Sequence, residues 1–553
     1  MRFSLPRPTI GHLTLNIIIT GYVMAVLNPG VWARLTLLFP DKPMNVALFA
    51  LAFSALTLFL LELLGPGALQ KPVAAVLILI AATARYFERS MGILVDRELL
   101  RSVLETTPTE AGHLVTPQAV GWIALTGLVP ALLVFWPRVR RVRVRHQVWR
   151  WPLAVLLAFV VFVGSLFADY KAASATLREH RDLAGAYQPG ATLIAALNVA
   201  QQEVRAVDRP IVPIALDARP GPYLAGVEHP VLMVLFVGET VRAANFGLDG
   251  YERDTTPGLA ARDVINLPDV RSCGTATAVS VPCMFSPLTQ DEYSRDEALA
   301  SENLLDVLVR AGFDVRWIDN NTGHQHVGER IDWQMVDPAW APEVCDPECT
   351  DDVFLPVIRE AERTITRNTV LVLHMIGNHG PAYYLRYRPE DAVFTPDCRT
   401  AQFADCAPEE IVNAYDNAVR QTDRVLSATI DILGGSTRVT PAMVFVSDHG
   451  ESLGEDGLYL HAAPMFMAPD TQTHVPMVMW LGSAFASELA LDTGCLQAAA
   501  TRPASHDTLY STVLGLLDVE TETRDRALDL TAGCRPAAEG LATQAAGRTN
   551  ASL

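Results

Sequence analysis

The stretch VLMVLFVGET, residues 231–240, is seven consecutive apolar residues followed at once by a glycine, a carboxylate and a hydroxyl. Successive side chains of a strand point to opposite faces, so a strand apolar throughout belongs in a sheet covered on both sides. Four more such runs follow: FDVRWI (313–318), TVLVLHM (369–375), AMVFVS (442–447) and VPMVMWL (475–481). Stretches of helical period lie between them, among them ENLLDVLVRAG (302–312) and EEIVNAYDNAVRQTDRVLSATIDILG (409–434). Strands alternating with helices predict an α/β domain over residues 228–535. In such sheets chemistry gathers beyond the carboxyl ends of the strands, which makes the residues just after each run the first candidates.

Upstream the composition changes. The 553-residue chain is 50% apolar and only 19% charged, with mean hydropathy +0.21, which excludes a disordered, collagenous or coiled-coil chain and demands a membrane part. Five stretches are long and apolar enough to span a bilayer: residues 10–31, 44–65, 71–87, 118–136 and 152–169. Between the fourth and fifth, RVRRVRVRHQVWR concentrates Arg138, Arg140, Arg141, Arg143, Arg145 and Arg150 in one short loop, which the positive-inside rule puts in the cytoplasm. Flanking spans with Trp149 and Trp151 make this run a membrane-surface anchor, and nucleic acid is not an expected partner. With five spans the N-terminus is cytoplasmic and everything after residue 170 lies outside.

Charge and cysteines agree. Residues 1–170 carry 15 Lys+Arg and 8 Asp+Glu, a balance of +7 that leaves −25 for the remainder, and all eight cysteines follow residue 270. An even number of cysteines in the acidic part fits an oxidising compartment. The expected division is thus a membrane domain over 1–170, a bridging helix and linker over 171–227, the α/β domain over 228–535 and a disordered tail over 536–553, without internal repeats. A polar loop of about 30 residues between the third and fourth spans, which contains SVLETTPTEA (102–111), is either a substrate-contacting element or a plain connector.

The strand-end rule selects Glu239 after the first run, His379 in GNHGPAYY after the third, and Asp448 and His449 in SDHGESLGE after the fourth. Two carboxylates and an imidazole suit one divalent cation, zinc above others, with a position left for a substrate or nucleophile oxygen. Neighbours on an extended strand face opposite ways, so Asp448 and His449 need a turn, which Gly450 permits. In RSCGTATAVSVPCMFS (271–286), Gly274 supplies a tight turn, and Thr275 or Thr277 opens a short helix whose N-terminal amides favour phosphate. A threonine hydroxyl is a poor nucleophile unless a metal lowers its pKa; without that help either threonine is simply a helix cap.

VGETVRAANFGLDGYERDTTP, SCGTATAVSVPCMFS, WIDNNTG, GNHGPAYYLRY, NAYDNAVRQTD and SDHGESLGE resemble, in order, the motifs of the lipid A phosphoethanolamine transferases, which include the mobile colistin resistance enzymes. The resemblance covers essentially the whole chain and implies an alkaline-phosphatase/sulfatase-like α/β domain behind five transmembrane helices. It implies that Thr277 is the nucleophile and that Glu239, Thr277, Asp448 and His449 hold a zinc ion. His379 and His461 then bind the phosphoethanolamine group or a second zinc. Phosphatidylethanolamine is the implied donor and a lipid A phosphate the implied acceptor, for a chain in the bacterial inner membrane with its catalytic domain in the periplasm, acting as a monomer. Capping lipid A phosphate would lower envelope negative charge and polymyxin binding.

Two segments depart from the pattern. Where relatives usually carry a cysteine pair around a lysine, HQHVGER places His324, Gln325 and Gly328, so one disulfide and one basic contact are missing; His324 or His326 is the candidate replacement for that contact, and Gln325 a candidate substrate contact. In the polar loop, Ser102 stands where asparagine is usual, while Thr106 and Glu110 fit a lipid-binding motif. Sequence proximity and the resemblance favour disulfides Cys273–Cys283 and Cys398–Cys406; Cys345 with Cys349 is a tight third pair, and Cys495 and Cys534 remain. Rival readings are a phosphoethanolamine transferase for lipopolysaccharide core or another envelope glycan, a manganese-dependent phosphoglycerol transferase, a membrane-tethered sulfatase or phosphodiesterase, and a non-catalytic scaffold.

Overall fold

The computed structural model describes residues 7–140, 143–206 and 210–536. The expected disordered tail, apart from its first residue, lies outside the described residues. The chain forms two compact units, Met1–Leu100 with Leu114–Gln201, and Arg101–His113 with Gln202–Leu553.

The first unit is helical. Pro43–Leu64, Gly67–Met91 and Arg145–Ala168 are long and apolar enough to cross a membrane. The stretch expected as the first span is broken: helices His12–Leu27 and Pro29–Leu38 meet at 68°, so the described residues hold up to four candidate spans, against the five expected. Pro29 has no N–H to give the preceding turn. Asn28 fills the break, donating to the Val23 carbonyl (3.0 Å) and Gln188 carbonyl (2.7 Å) while accepting the Gln188 N–H (2.7 Å). Pro117–Leu133, where the fourth span was expected, is apolar but short: at 1.5 Å per residue it reaches about 25 Å against a bilayer core of ~30 Å. Glu62 is buried here but not stranded, since it accepts from Asn16 Nδ2 (2.9 Å) and faces His12 Nε2 (3.3 Å). Helices Tyr170–Glu179, Arg181–Ala186 and Gly190–Ala206 occupy most of the stretch read as a bridge.

The second unit is built on an eight-stranded sheet. In chain order its strands are β1 (Val231–Gly238), β2 (Ile265–Arg271), β3 (Asp314–Asp319), β4 (Asp332–Met335), β5 (Thr369–His374), β6 (Thr440–Ser447), β7 (His474–Leu481) and β8 (Ala504–Ser505). They lie in the order β8-β2-β7-β6-β1-β5-β3-β4. The β6-β1-β5-β3-β4 stretch is parallel, and β7 runs antiparallel to both its neighbours. All five apolar runs are strands. β2, β4 and β8 escape a reading for apolar runs: INLPDVR alternates and contains Pro268, DWQM is exposed throughout, and β8 is two residues long. β1, β5 and β6 are buried along their whole length, which is why they read as unbroken apolar segments.

Register sets the site. Gly238 pairs with Ser447, so Glu239 and Asp448 leave adjacent parallel strands side by side, and the Asp448 N–H still donates to the Gly238 carbonyl (2.9 Å). On the other flank Val237 pairs with His374, and His374 with Asp319.

Helix Pro408–Gly434 packs its buried face, which includes Ile411, Ala414, Tyr415, Ala418, Val425 and Leu433, beneath this edge. Pro408 starts it without a wasted N–H, and the Glu410 carboxylate accepts the Ala407 N–H (2.7 Å). The helix anchors the chain that follows Glu239. Tyr415 Oη donates to the Thr240 carbonyl (2.6 Å) and accepts the Arg242 N–H (3.0 Å). Asp416 accepts from Asn245 Nδ2 (2.6 Å), Tyr251 Oη (2.9 Å) and Arg253 (3.0 Å). About two turns further on, Asp423 accepts the N–H groups of Gly258 and Leu259, each at 2.8 Å.

Burial of Asp423 pushes its carboxyl up to about 6 despite those two N–H groups. A raised folded-state value means the native state binds the extra proton, so the group's favourable contribution is full below about pH 4 and is lost as pH rises through about 6. Thermal unfolding of Asp423→Asn between pH 4 and 8 should therefore show a flatter pH dependence than the parent across pH 4–6. The difference should be about 2–3 kcal/mol; parallel curves would contradict it.

Candidate active site

Glu239, Asp448 and His449 are fully buried, and each offers one ligand atom within 4.8 Å of the others. The turn that brings Asp448 and His449 together needs Gly450, because a Cβ there would meet the Thr471 carbonyl oxygen at 2.1 Å. The His449 Nδ1–H donates to the Gly450 carbonyl (2.9 Å), which leaves the Nε2 lone pair facing the two carboxylates. Nε2 lies 3.3 Å from Asp448 Oδ2 and 3.6 Å from Glu239 Oε1. Burial, with the nearby His461 charge, pushes the His449 imidazole down to about 3, so it stays neutral and can act as a ligand.

The carboxylates are held asymmetrically. Asp448 Oδ1 accepts the N–H groups of His449 (2.7 Å) and Thr240 (3.2 Å), while buried Oδ2 has no hydrogen-bond partner among the described residues. Burial pushes the Asp448 carboxyl up. Glu239 Oε2 accepts from Asn321 Nδ2 (2.6 Å) and Thr277 Oγ1 (3.0 Å). Two buried carboxylates, a neutral imidazole and an Oδ2 lacking a hydrogen bond fit a borderline-soft divalent cation such as zinc.

Geometry separates the two threonines. Thr277 is the first residue of helix Thr277–Met284, and its Oγ1 sits 3.3 Å from His449 Nε2 as well as beside Glu239. Thr275 is spent on structure: its Oγ1 donates to the Ala463 carbonyl (2.7 Å) and its carbonyl accepts the Ala462 N–H (2.6 Å). The turn before them needs Gly274, whose Cβ would meet Val279 at 2.9 Å, and the Cys273–Cys283 disulfide closes it.

His379 and His461 lie beside the cluster, with ring centroids 5.4 Å apart and His461 4.6 Å from His449. Glu451 orients His461 by accepting from its Nδ1 (2.9 Å). Burial first, and the His461 charge second, hold His379 well below its ordinary value. Of the other candidates, Gln325 is buried and donates to Thr322 Oγ1 (3.0 Å) in its own loop. Thr106 donates to the Ser102 carbonyl (2.6 Å) at the end of helix Arg97–Glu105. The side chain of Glu110 lies outside the described residues. All eight cysteines are paired as Cys273–Cys283, Cys345–Cys349, Cys398–Cys406 and Cys495–Cys534.

Strand-end reasoning missed the supports. His374 is the last residue of β5 and is fully buried; its Nδ1 donates to Asp319 Oδ2 (2.8 Å). Burial alone would lower His374, but the Asp319 charge wins and holds the imidazole above its ordinary value. Asp319 Oδ1 accepts the Asn321 N–H (2.8 Å), which aims the Asn321 amide at Glu239. WIDNNTG thus carries the support, and NAYDNAVRQTD carries the anchor in helix Pro408–Gly434. A carboxylate ending one apolar strand beside a histidine ending the next was the available signal.

Comparison with known proteins is consistent along the chain. Residues 53–204 match the family model described as phosphoethanolamine transferase EptA/EptB, and residues 232–519 match the sulfatase model. The chain is 36% identical to phosphoethanolamine transferase EptA of Salmonella typhimurium, covering 97% of this chain and 99% of that protein. It is 35% identical to phosphatidylethanolamine transferase Mcr-1 of Escherichia coli, covering 84% and 86%. Among solved structures, the integral membrane lipooligosaccharide phosphoethanolamine transferase A of Neisseria meningitidis matches with a TM-score of 0.90 at 34% identity, over 96% of this chain and 100% of that one.

Removal of the amide that fixes Glu239 tests the site directly. Asn321→Ala should weaken zinc binding about 10–100-fold in a chelator-competition titration while circular dichroism stays unchanged. Unchanged affinity would show that Asn321 does not hold the ligand set.

Proposed function

Because the chain belongs to the phosphoethanolamine transferase family, we propose that it moves phosphoethanolamine from phosphatidylethanolamine to a phosphate of lipid A, with Thr277 as the carrier. One observation carries the reading: Thr277 Oγ1 is within hydrogen-bond reach of both Glu239 and His449, in a cluster of two carboxylates and a neutral imidazole. Zinc bound by Glu239, Asp448, His449 and Thr277 would supply Lewis acidity, lowering the hydroxyl pKa and neutralising charge on the phosphoryl oxygens.

The residues of the chain do the rest. Thr277 Oγ attacks the donor phosphorus as its proton passes toward Glu239; the Thr277 O–P bond forms, the bond to the diacylglycerol oxygen breaks, and that oxygen takes up the proton and leaves as diacylglycerol. A lipid A hydrogen phosphate oxygen then attacks the same phosphorus, the Thr277 O–P bond breaks, and the proton given up by the attacking phosphate restores the Thr277 hydroxyl. His379 and His461 flank the cluster where the phosphoethanolamine group sits, or where a second zinc binds, and burial keeps His379 neutral. Water must be kept from the phosphothreonine, or the enzyme becomes the hydrolase of the rival reading.

Both substrates are lipids, which accounts for a catalytic domain (228–535) joined through residues 171–227 to a membrane domain (1–170). The proposed topology keeps five crossings of the inner membrane, over residues 10–31, 44–65, 71–87, 118–136 and 152–169, with the N-terminus in the cytoplasm and the catalytic domain in the periplasm. The disulfides and the −25 charge of the remainder support that side. Ser102, Thr106 and Glu110 are the proposed donor contacts and Gln325 an acceptor-side contact. The chain acts as a monomer, and its product lowers envelope negative charge and polymyxin binding.

Peptide mass spectrometry after incubation with phosphatidylethanolamine should locate the adduct on Thr277. Thr277→Ala or chelation by EDTA should abolish it, and Thr275→Ala should retain it. An adduct that persists in Thr277→Ala would assign another nucleophile. Rapid release of phosphoethanolamine without acceptor would favour the hydrolase. Lipid profiling of cells expressing the protein should show phosphoethanolamine on lipid A rather than on core sugars.

A further inference from the structure

Segment Arg101–His113 lies in sequence between two apolar helices, yet it belongs to the second unit. Two arginines tie its ends there. At one end Glu105 pairs with Arg295 (3.3 Å), whose Nε donates to the Ala278 carbonyl (3.0 Å), one residue after Thr277. At the other end His113 Nε2 meets Glu348 Oε1 (2.9 Å), and Glu348 Oε2 pairs with Arg386 (2.8 Å). The Arg386 Nε in turn donates to the His379 carbonyl (3.1 Å).

These links are built, not incidental. Arg386 is one of the largest fully buried side chains in the protein, and the Arg295 side chain is only 9% exposed. A guanidinium buried to that degree needs fixed partners. Burial would raise the Glu348 carboxyl, but the His113 hydrogen bond and the Arg386 charge outweigh it and hold it below its ordinary value. Glu348 sits inside the small Cys345–Cys349 ring, which limits where its carboxylate can point. Asp351, two residues past the ring, accepts the N–H groups of Ile376 (3.0 Å) and Gly377 (2.9 Å), so the ring is welded to the strand-end loop that carries His379.

Resting on the donor reading above, we propose that Arg295 and Arg386 are positioning residues that strap segment 101–113 across the active site. The strap fixes where this segment presents Ser102 and Thr106 to the donor lipid. Arg295 joins the segment to the carbonyl of Ala278, next to Thr277, and Arg386 joins it to the carbonyl of His379, so the segment is held in register with the site. The acidic and imidazole ends, Glu105 and His113, are the parts of the strap that can be removed without emptying the buried arginine sites.

The test uses the full chain in detergent. In Glu105→Gln/His113→Gln, amide hydrogen exchange over residues 101–113 should quicken, and KM for phosphatidylethanolamine should rise about tenfold with kcat within about threefold. Restoring one donor, as Glu105→Gln/His113→Lys, should recover part of both changes. Wild-type exchange and KM in the double variant would overturn the strap. A raised KM with unchanged exchange, or faster exchange with unchanged KM, would overturn it equally. Absence of a Thr277 adduct in the parent would instead refute the donor reading, while the exchange measurement would still decide whether the strap exists.

Discussion

Two carboxylates, Glu239 and Asp448, emerge from adjacent parallel strands and are both fully buried. With ligand atoms within 4.8 Å of one another, two unit charges at an effective dielectric of ~20 would repel by roughly 3 kcal/mol. Such an arrangement persists only if the surrounding structure leaves neither group anywhere else to go. Asp448 is held by two N–H groups on Oδ1 and Glu239 by Asn321 on Oε2, which still leaves the cluster short of positive charge. That deficit is the chemical case for a cation, and the hydroxyl of Thr277 lies beside the same cluster.

The rest of the second unit can be understood as the means of holding that deficit in position. Helix Pro408–Gly434 grips the chain after Glu239 through Tyr415, Asp416 and Asp423. The buried Asp319–His374 pair and Asn321 support Glu239 from the opposite side. A disulfide closes the turn before Thr277, and Gly450 lets Asp448 and His449 share a target. Supports of this kind act by orientation, since a ligand misplaced by even about 1 Å loses much of its value.

A membrane part places a second demand on the chain. The helical unit pairs buried Glu62 with Asn16 and absorbs a break at Asn28–Pro29 by side-chain hydrogen bonds. A segment bounded in sequence by apolar helices nonetheless packs with the catalytic unit. The family this chain belongs to joins a membrane part to a sulfatase-like part, and the division between them here is not a simple cut along the sequence.

What the amino-acid order determined by itself was whatever local pattern expresses: five apolar-rich strands, the residues at their ends, the apolar membrane segments, and an even number of cysteines in an acidic region. WIDNNTG and NAYDNAVRQTD were visible as motifs, but their work was not, because Asn321 meets Glu239 only across the sheet and Asp416 meets Asn245 only across a helix–loop contact. The exposed strand β4 and the interrupted β2 carry no continuous apolar signal, and a break at Asn28 depends on partners far along the chain. Composition could not choose between Thr275 and Thr277, since both are small hydroxyl residues beside one turn. Tertiary structure chose, because packing turns one oxygen toward the Ala463 carbonyl and the other toward Glu239 and His449.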